Sequence, residues 1–258
     1  MKGFEMIRIA LVLVSAFLIG FVTPACSSGN GTGDTGNPTG TGTGTGTGTS
    51  QTGTPGSTVV FPVPGAGSGQ VKIYVPSSYS SSTAAPVIFL FNEQIFDWQT
   101  IADTNGILLI DLDEYNDSSA IMAKLNAAAT HIEQNYTVDT HRYYWAGWSA
   151  GGNIVIIIGA QNQDFIAATM VFPGTGGSSA QSAMQSRSGH KIRLYYACGT
   201  ADSNYPWADV QNEANFWANY GYTTRFDKVE GADHSITESV YHKRADAWNW
   251  VKGFTNQN

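Results

Sequence analysis

Short, wholly apolar runs spaced between helical patterns constrain this chain more than any other feature. Residues 87–91 and, but for Asp111, 107–112 are such runs, too short for helices and apolar on both sides. They read as strands covered on both faces, the mark of a parallel sheet sandwiched between helices. Residues 71–75 alternate as a strand, stopped by Pro76. Residues 118–134 carry Ile121, Leu125, Ala128 and Ile132 on one helical face. A strand at 142–146 then runs through a Gly-rich turn into an apolar helix at 151–160. Strands at 166–172 and 191–198, a helix at 208–220, a strand at 223–229 and a closing helix at 239–254 complete the series. Such alternation predicts an α/β fold: a mostly parallel, doubly wound sheet flanked by helices. Only a short Gly-, Ser- and Gln-rich stretch separates residues 172 and 191, which leaves no room for a large cap domain. Ligands of such sheets bind at the carboxyl ends of the strands.

The periodic region starts at about residue 58. Before it, residues 27–57 are dominated by Gly and Thr, with Asp34 as their one charge. This composition cannot bury enough apolar surface to fold. As a flexible tether it spans roughly 30 Å root-mean-square. Further upstream, Lys2 and Arg8 precede an apolar run over residues 9–22, too short to cross a bilayer as a helix and matching the core of an export signal. Three segments are therefore expected: a signal over residues 1–25, Cys26 with its linker to residue 57, and a folded domain over residues 58–258. If Cys26 is acylated, Cys198 has no disulfide partner within the chain, and its apolar strand makes it a small buried side chain. The net charge of -7 argues against a nucleic-acid partner.

The chemistry centres on Gly147-Trp148-Ser149-Ala150-Gly151-Gly152. A G-x-S-x-G sequence placed directly between a strand and a helix lifts a serine out of a very tight turn. The glycines on either side of Ser149 satisfy the space that the turn demands. The Ala150 N–H, at the new helix N-terminus, is aimed where an oxyanion forms. Ser149 needs a general base. Of the five histidines, His131 and His242 fall inside predicted helices, and His141 and His190 precede strands. Only His234, in the Val229–His234 loop, follows a strand. The acid is expected between Ser149 and His234 in chain order. Asp202, just after the strand at 191–198, fits. Asp209 opens a helix, Asp164 precedes a strand, Asp227 lies within one and Asp233 adjoins His234. For the second oxyanion donor the candidates are Asn92, through its side-chain amide, and Glu93 or Gln94, through the main chain; the alternative is that these three form a plain polar turn. Trp148, Tyr205 and Trp207 adjoin the three positions and are candidates to line a substrate pocket, with core or rim packing as the alternative. No His, Cys and Asp cluster has metal-ligand spacing, so neither metal nor cofactor is expected.

These motifs resemble those of the α/β-hydrolase superfamily. Gly147–Gly152, Gly199-Thr200-Ala201-Asp202, Gly231-Ala232-Asp233-His234 and Phe216–Tyr222 are most similar to its secreted esterases, the polyhydroxybutyrate-depolymerase, feruloyl-esterase and acetylxylan-esterase-like group, over residues 70–254. Many hydrolases of this fold carry His-Gly after the third strand; here Asn92-Glu93-Gln94 stands there. Thr23-Pro24-Ala25-Cys26 resembles the lipobox of bacterial lipoproteins, although Thr23 and Pro24 depart from the usual pattern. The resemblance implies an exported serine esterase held to a membrane through a lipid on Cys26, with a soluble secreted form as the alternative. Its substrate would be an ester, polymeric or surface-borne. The competing readings are a serine peptidase of the same fold and a catalytically inactive, surface-binding lipoprotein.

Overall fold

The computed structural model describes residues 52–257 apart from 67, 68 and 115. The expected signal, Cys26 and nearly all of the Gly/Thr-rich tract lie outside the described residues. In chain order the elements are β1 (Ser57–Pro62), β2 (Gln70–Val75), β3 (Ala85–Phe91), α1 (Ile95–Asn105), β4 (Leu108–Asp111), α2 (Ser118–Asn135), β5 (Val138–Trp148) and α3 (Ala150–Gln161). They continue with β6 (Ala168–Phe172), α4 (Gly177–Gln185), β7 (Arg193–Gly199), α5 (Trp207–Asn219), β8 (Thr224–Val229), α6 (Glu238–Tyr241) and α7 (Lys243–Val251).

The described strands form one sheet in the order β1-β2-β4-β3-β5-β6-β7-β8. β2 pairs antiparallel with β1 and β4, and all other pairs are parallel. The apolar runs are where a doubly covered sheet needs them: every residue of β3 is buried. Val87, Phe89 and Phe91 face one layer, with Ile121, Leu125 and Ile132 of α2, Val155 of α3 and Trp217 of α5. Ile88 and Leu90 face the other, with Trp98 of α1 and Trp248 and Val251 of α7. Each such side chain contributes about 1.5–3 kcal/mol when fully buried. The sheet changes its direction of winding between β3 and β5, so the crevice beyond their carboxyl ends is the natural ligand site.

Three described elements go beyond the expected series. β1 begins at Ser57, inside the expected linker, and its burial merely alternates between partial and exposed, as an edge strand's does. α1 carries only two buried residues, Trp98 and Ala102, on a weakly patterned face, and ends at Gly106 with φ 68°. α4 forms in the Gly/Ser/Gln-rich stretch by burying Ala180 and Met184. The single closing helix expected over residues 239–254 is two helices. His242 breaks it with φ 52°, and the carboxylate of Glu238 caps α7 by accepting the N–H groups of Arg244 (2.7 Å) and Ala245 (3.1 Å).

Candidate active site

Ser149 sits between β5 and α3 with φ 56° and ψ −119°, a backbone region that non-glycine residues seldom occupy. Holding a residue there costs of order 1–3 kcal/mol and requires support from all sides. That support is visible in the glycines. A Cβ on Gly147 would lie 2.3 Å from the Gly151 carbonyl oxygen, and one on Gly151 would lie 1.8 Å from that of Phe91. The turn therefore packs directly on the end of β3. Asn92, itself at φ 53°, donates its side-chain amide to the Trp148 carbonyl at 3.1 Å and ties the two strand ends together.

The structure brings Ser149, His234 and Asp202 into one hydrogen-bonded row. His234 Nε2 lies 2.9 Å from Ser149 Oγ, and His234 Nδ1 lies 2.9 Å from Asp202 Oδ2. The Asp202 side chain is fully buried. Its other oxygen accepts the N–H groups of Asn204 (2.8 Å) and Tyr205 (2.9 Å), which leaves Oδ2 directed at the imidazole. The loops carrying acid and base touch: a Cβ on Gly199 would lie 2.1 Å from the Ala232 carbonyl oxygen. Such a row removes a proton from a serine hydroxyl and holds the imidazolium that results.

Several of the remaining histidines and acids are engaged elsewhere. His131 stacks on Phe61 with centroids 4.6 Å apart. His141 lies within β5 rather than before it and bonds Asn256. His190 faces the Ile166 carbonyl. Asp164 pairs with Arg187. Burial pushes the Asp227 carboxyl up, but Arg225, Tyr195 and Lys243 outweigh it and hold the group below its usual range. The Cys198 thiol is buried, pushed up to about 12, and donates to the Tyr205 carbonyl at 3.3 Å.

Glu93 overturns the reading of Asn92-Glu93-Gln94 as a plain polar turn. It is 2% exposed and forms a two-pronged ion pair with Arg244, at 2.8 and 3.0 Å, while Trp98 Nε1 donates to it at 3.2 Å. Burial pushes its carboxyl above the ordinary carboxylate range, and Arg244 and Trp98 oppose that. With the side chain so committed, only its main chain can face the site. Arg244 also donates to the Ile236 carbonyl at 3.2 Å, so one guanidinium joins the loop after β3 to the loop that carries His234. Arg244 was not among the expected site residues. A cation ten positions beyond the base, in a closing helix, reads from sequence as an ordinary exposed charge.

Two of the three aromatic candidates meet the row. Trp148 lies 5.0 Å from the His234 ring and donates its indole N–H to the His234 carbonyl at 2.9 Å. Tyr205 lies parallel to the His234 ring, at 5.6 Å and 3°. Trp207 opens α5 instead, with the Lys228 ammonium 4.1 Å above its ring. Among the described residues no helix is long and apolar enough to cross a membrane, and no group of three or more His, Cys, Asp or Glu residues gathers as a metal site.

A strained serine between a parallel strand and a helix, a histidine and an aspartate on later strand ends, and a doubly wound sheet beneath them define a hydrolase of the α/β-hydrolase fold. Over residues 99–257 the sequence matches the dienelactone hydrolase family, and the chain belongs to that family. No curated protein is recognisably related to it in sequence. Among solved structures it is similar to a thermostable esterase (TM-score 0.58, 16% identity, 77% of this chain covered) and spans 63% of that protein's length. It is also similar to a thermophilic esterase from the Planctomycetes species Thermogutta terrifontis, solved with butyrate bound (TM-score 0.53, 15% identity, 72% of this chain and 90% of that one). A candidate dipeptidyl aminopeptidase IV from Bacteroides ovatus aligns at TM-score 0.59 and 9% identity, over 77% of this chain and 36% of that one. At these identities the likeness is one of fold.

Proposed function

We propose that the chain is an exported, membrane-anchored serine esterase that works through an acyl-enzyme on Ser149. The observation that carries this reading is the unbroken row Ser149–His234–Asp202, with both contacts at 2.9 Å. His234 takes the Ser149 proton as Oγ attacks the ester carbonyl, and Asp202 steadies the imidazolium. The oxyanion is held by the Ala150 N–H and by main chain at the end of β3, beside Asn92 and Glu93. His234 returns its proton to the departing alcohol, and water repeats the cycle on the acyl-enzyme. Hydrolysis of this kind uses no cofactor.

Between β6 and β7 stands only the nine-residue α4, so among the described residues no cap domain roofs the serine. An open site of this kind suits a bulky, polymeric or surface-borne ester, in keeping with the depolymerase-like motifs. Phe96, 84% exposed at the start of α1, and Val240, 63% exposed in α6, stand on elements that follow the ends of β3 and β8. They offer apolar footing beside the crevice. The lipobox-like Thr23–Cys26 and the tether after it support an anchor on Cys26.

The test uses the full chain with Cys26→Ser, treated with a fluorophosphonate that marks activated serines. Wild-type sequence at the site labels; Ser149→Ala and His234→Ala do not. Hydrolysis of p-nitrophenyl esters beside peptide anilides then separates ester from peptide chemistry. A folded protein that neither labels nor hydrolyses esters defeats the proposal.

A further inference from the structure

Trp148 precedes Ser149 at the end of β5, so whatever fixes it also fixes the nucleophile. Three contacts do so. Its main chain pairs with Phe172 of β6. Its carbonyl accepts the Asn92 side-chain amide at 3.1 Å, from a residue held in left-handed backbone (φ 53°) just after β3. Its ring packs against the apolar layer that includes Val229, Ala232 and Ile236, residues on either side of His234. From this seat the indole N–H donates to the His234 main-chain carbonyl at 2.9 Å, and the ring lies 5.0 Å from the imidazole.

The sheet alone does not fix nucleophile and base to one another. Two strands, β6 and β7, stand between β5 and β8, and His234 lies in the loop beyond the end of β8. That loop contains two residues of positive φ, Gly231 at 73° and Ile236 at 39°. Asp202 fixes the imidazole through Nδ1, but it follows β7 and not the strand that carries Ser149. We propose that Trp148 is a positioning residue for the base: its indole N–H clamps the His234 main chain to the segment that carries Ser149, and so holds Nε2 on Oγ. The bond ends on a main-chain carbonyl, which leaves Nδ1 to Asp202 and Nε2 to Ser149. It takes no part in proton transfer and is the same for imidazole and imidazolium. Trp148 therefore acts in acylation and in deacylation alike, since His234 serves both steps. Its worth is a near-attack geometry held in advance, and misplacement of a reacting atom by 1 Å can cost about 10²-fold. This is a different task from lining an acyl or alcohol pocket. The inference rests on the serine-esterase reading.

The experiment compares wild type, Trp148→Phe and Trp148→β-(3-benzothienyl)alanine in the full chain. Phenylalanine removes the N–H and shrinks the ring. The benzothienyl side chain puts sulfur in place of the N–H and keeps the shape. Burst and steady-state kinetics are read on p-nitrophenyl acetate, butyrate and hexanoate, beside thermal melting. In the isosteric variant acylation and deacylation should both slow about tenfold, well inside the cost of a 1 Å misplacement. The factor should be the same for all three esters, with KM and melting temperature unchanged. Trp148→Phe should be at least as slow. A loss that depends on acyl length, or a rise in KM alone, assigns Trp148 to the pocket and overturns the proposal. An isosteric variant within threefold of wild type overturns it too, as does a loss accounted for by unfolded protein. Should Trp148→Phe fail to fold, the isosteric variant alone decides. A wild-type chain that labels with fluorophosphonate while the isosteric variant keeps its rate sinks only this inference. A wild type that does not label sinks the esterase reading with it.

Discussion

Replacing Arg244 with Met removes one half of a buried ion pair and leaves the other half in place. Glu93 then keeps only the Trp98 indole as partner, in a position 2% exposed to solvent. Breaking a buried pair from one side costs about 3–5 kcal/mol, because a carboxylate is left desolvated without compensation. For a domain of this size each kcal/mol shifts melting by roughly 2–4 °C, so the variant should melt about 6–20 °C below wild type at pH 8. The loss depends on pH in a definite sense. Without the guanidinium, burial acts almost unopposed on a carboxyl whose ordinary value is 4.5, and it acts upward. The native variant therefore holds a proton that the unfolded chain has already released, and the deficit grows as pH rises above that ordinary value. Relative to wild type it should be smallest near pH 5 and largest at pH 8. The double variant Glu93→Leu with Arg244→Met removes both charges and should recover most of the loss. Differential scanning calorimetry at the two pH values decides. A single variant that melts within 3 °C of wild type at pH 8, or a deficit that does not narrow toward pH 5, refutes the assignment of Glu93 as a buried, paired carboxylate.

Asp202→Asn should fold normally by circular dichroism yet lose about 10⁴ in ester turnover, since an amide stabilises neither the working tautomer nor the imidazolium; turnover within tenfold of wild type would contradict its role. Gly151→Ala places a Cβ 1.8 Å from main-chain oxygen of Phe91 and should yield insoluble or unfolded protein, as read by solubility and tryptophan fluorescence. Phe96→Ser, at an 84% exposed position, should leave hydrolysis of a soluble ester within twofold while slowing release of product from an insoluble polyester film. Cys26→Ser should move the protein from the membrane to the soluble fraction and abolish incorporation of labelled palmitate.

The strand-and-helix series was legible because its signals are local. The apolar run of β3 and the helical face of α2 each report their own burial, and the turn around Ser149 reports a backbone shape that few sequences satisfy. Position along that series was enough to single out His234 and Asp202, since only residues after strands reach the crevice. What escaped detection depends on contacts between distant segments. α1 and α4 bury only two residues apiece, and α4 is built almost wholly of small and polar residues. The break at His242 is set by Glu238 turning back to cap α7, which no helical pattern announces. The burial and pairing of the Glu93 side chain have no sequence signal, because its partner lies 151 positions away. Trp207 follows the packing alternative: it opens α5, packs against the core and meets Lys228 across its ring.

The wide separation of the hydrogen-bonded row has a consequence for how the molecule comes into being. Ser149 and His234 stand 85 positions apart, and the guanidinium that steadies the base's loop comes later still, in the final helix. A growing chain carries Ser149 long before it carries His234, the base of the proposed reading. Long-range pairings of this kind form late and slowly. On that reading Ser149 gains its partner only once β8 and the loop after it are in place. A product cut short before residue 234 would be an inert sheet with a serine no more reactive than any on its surface.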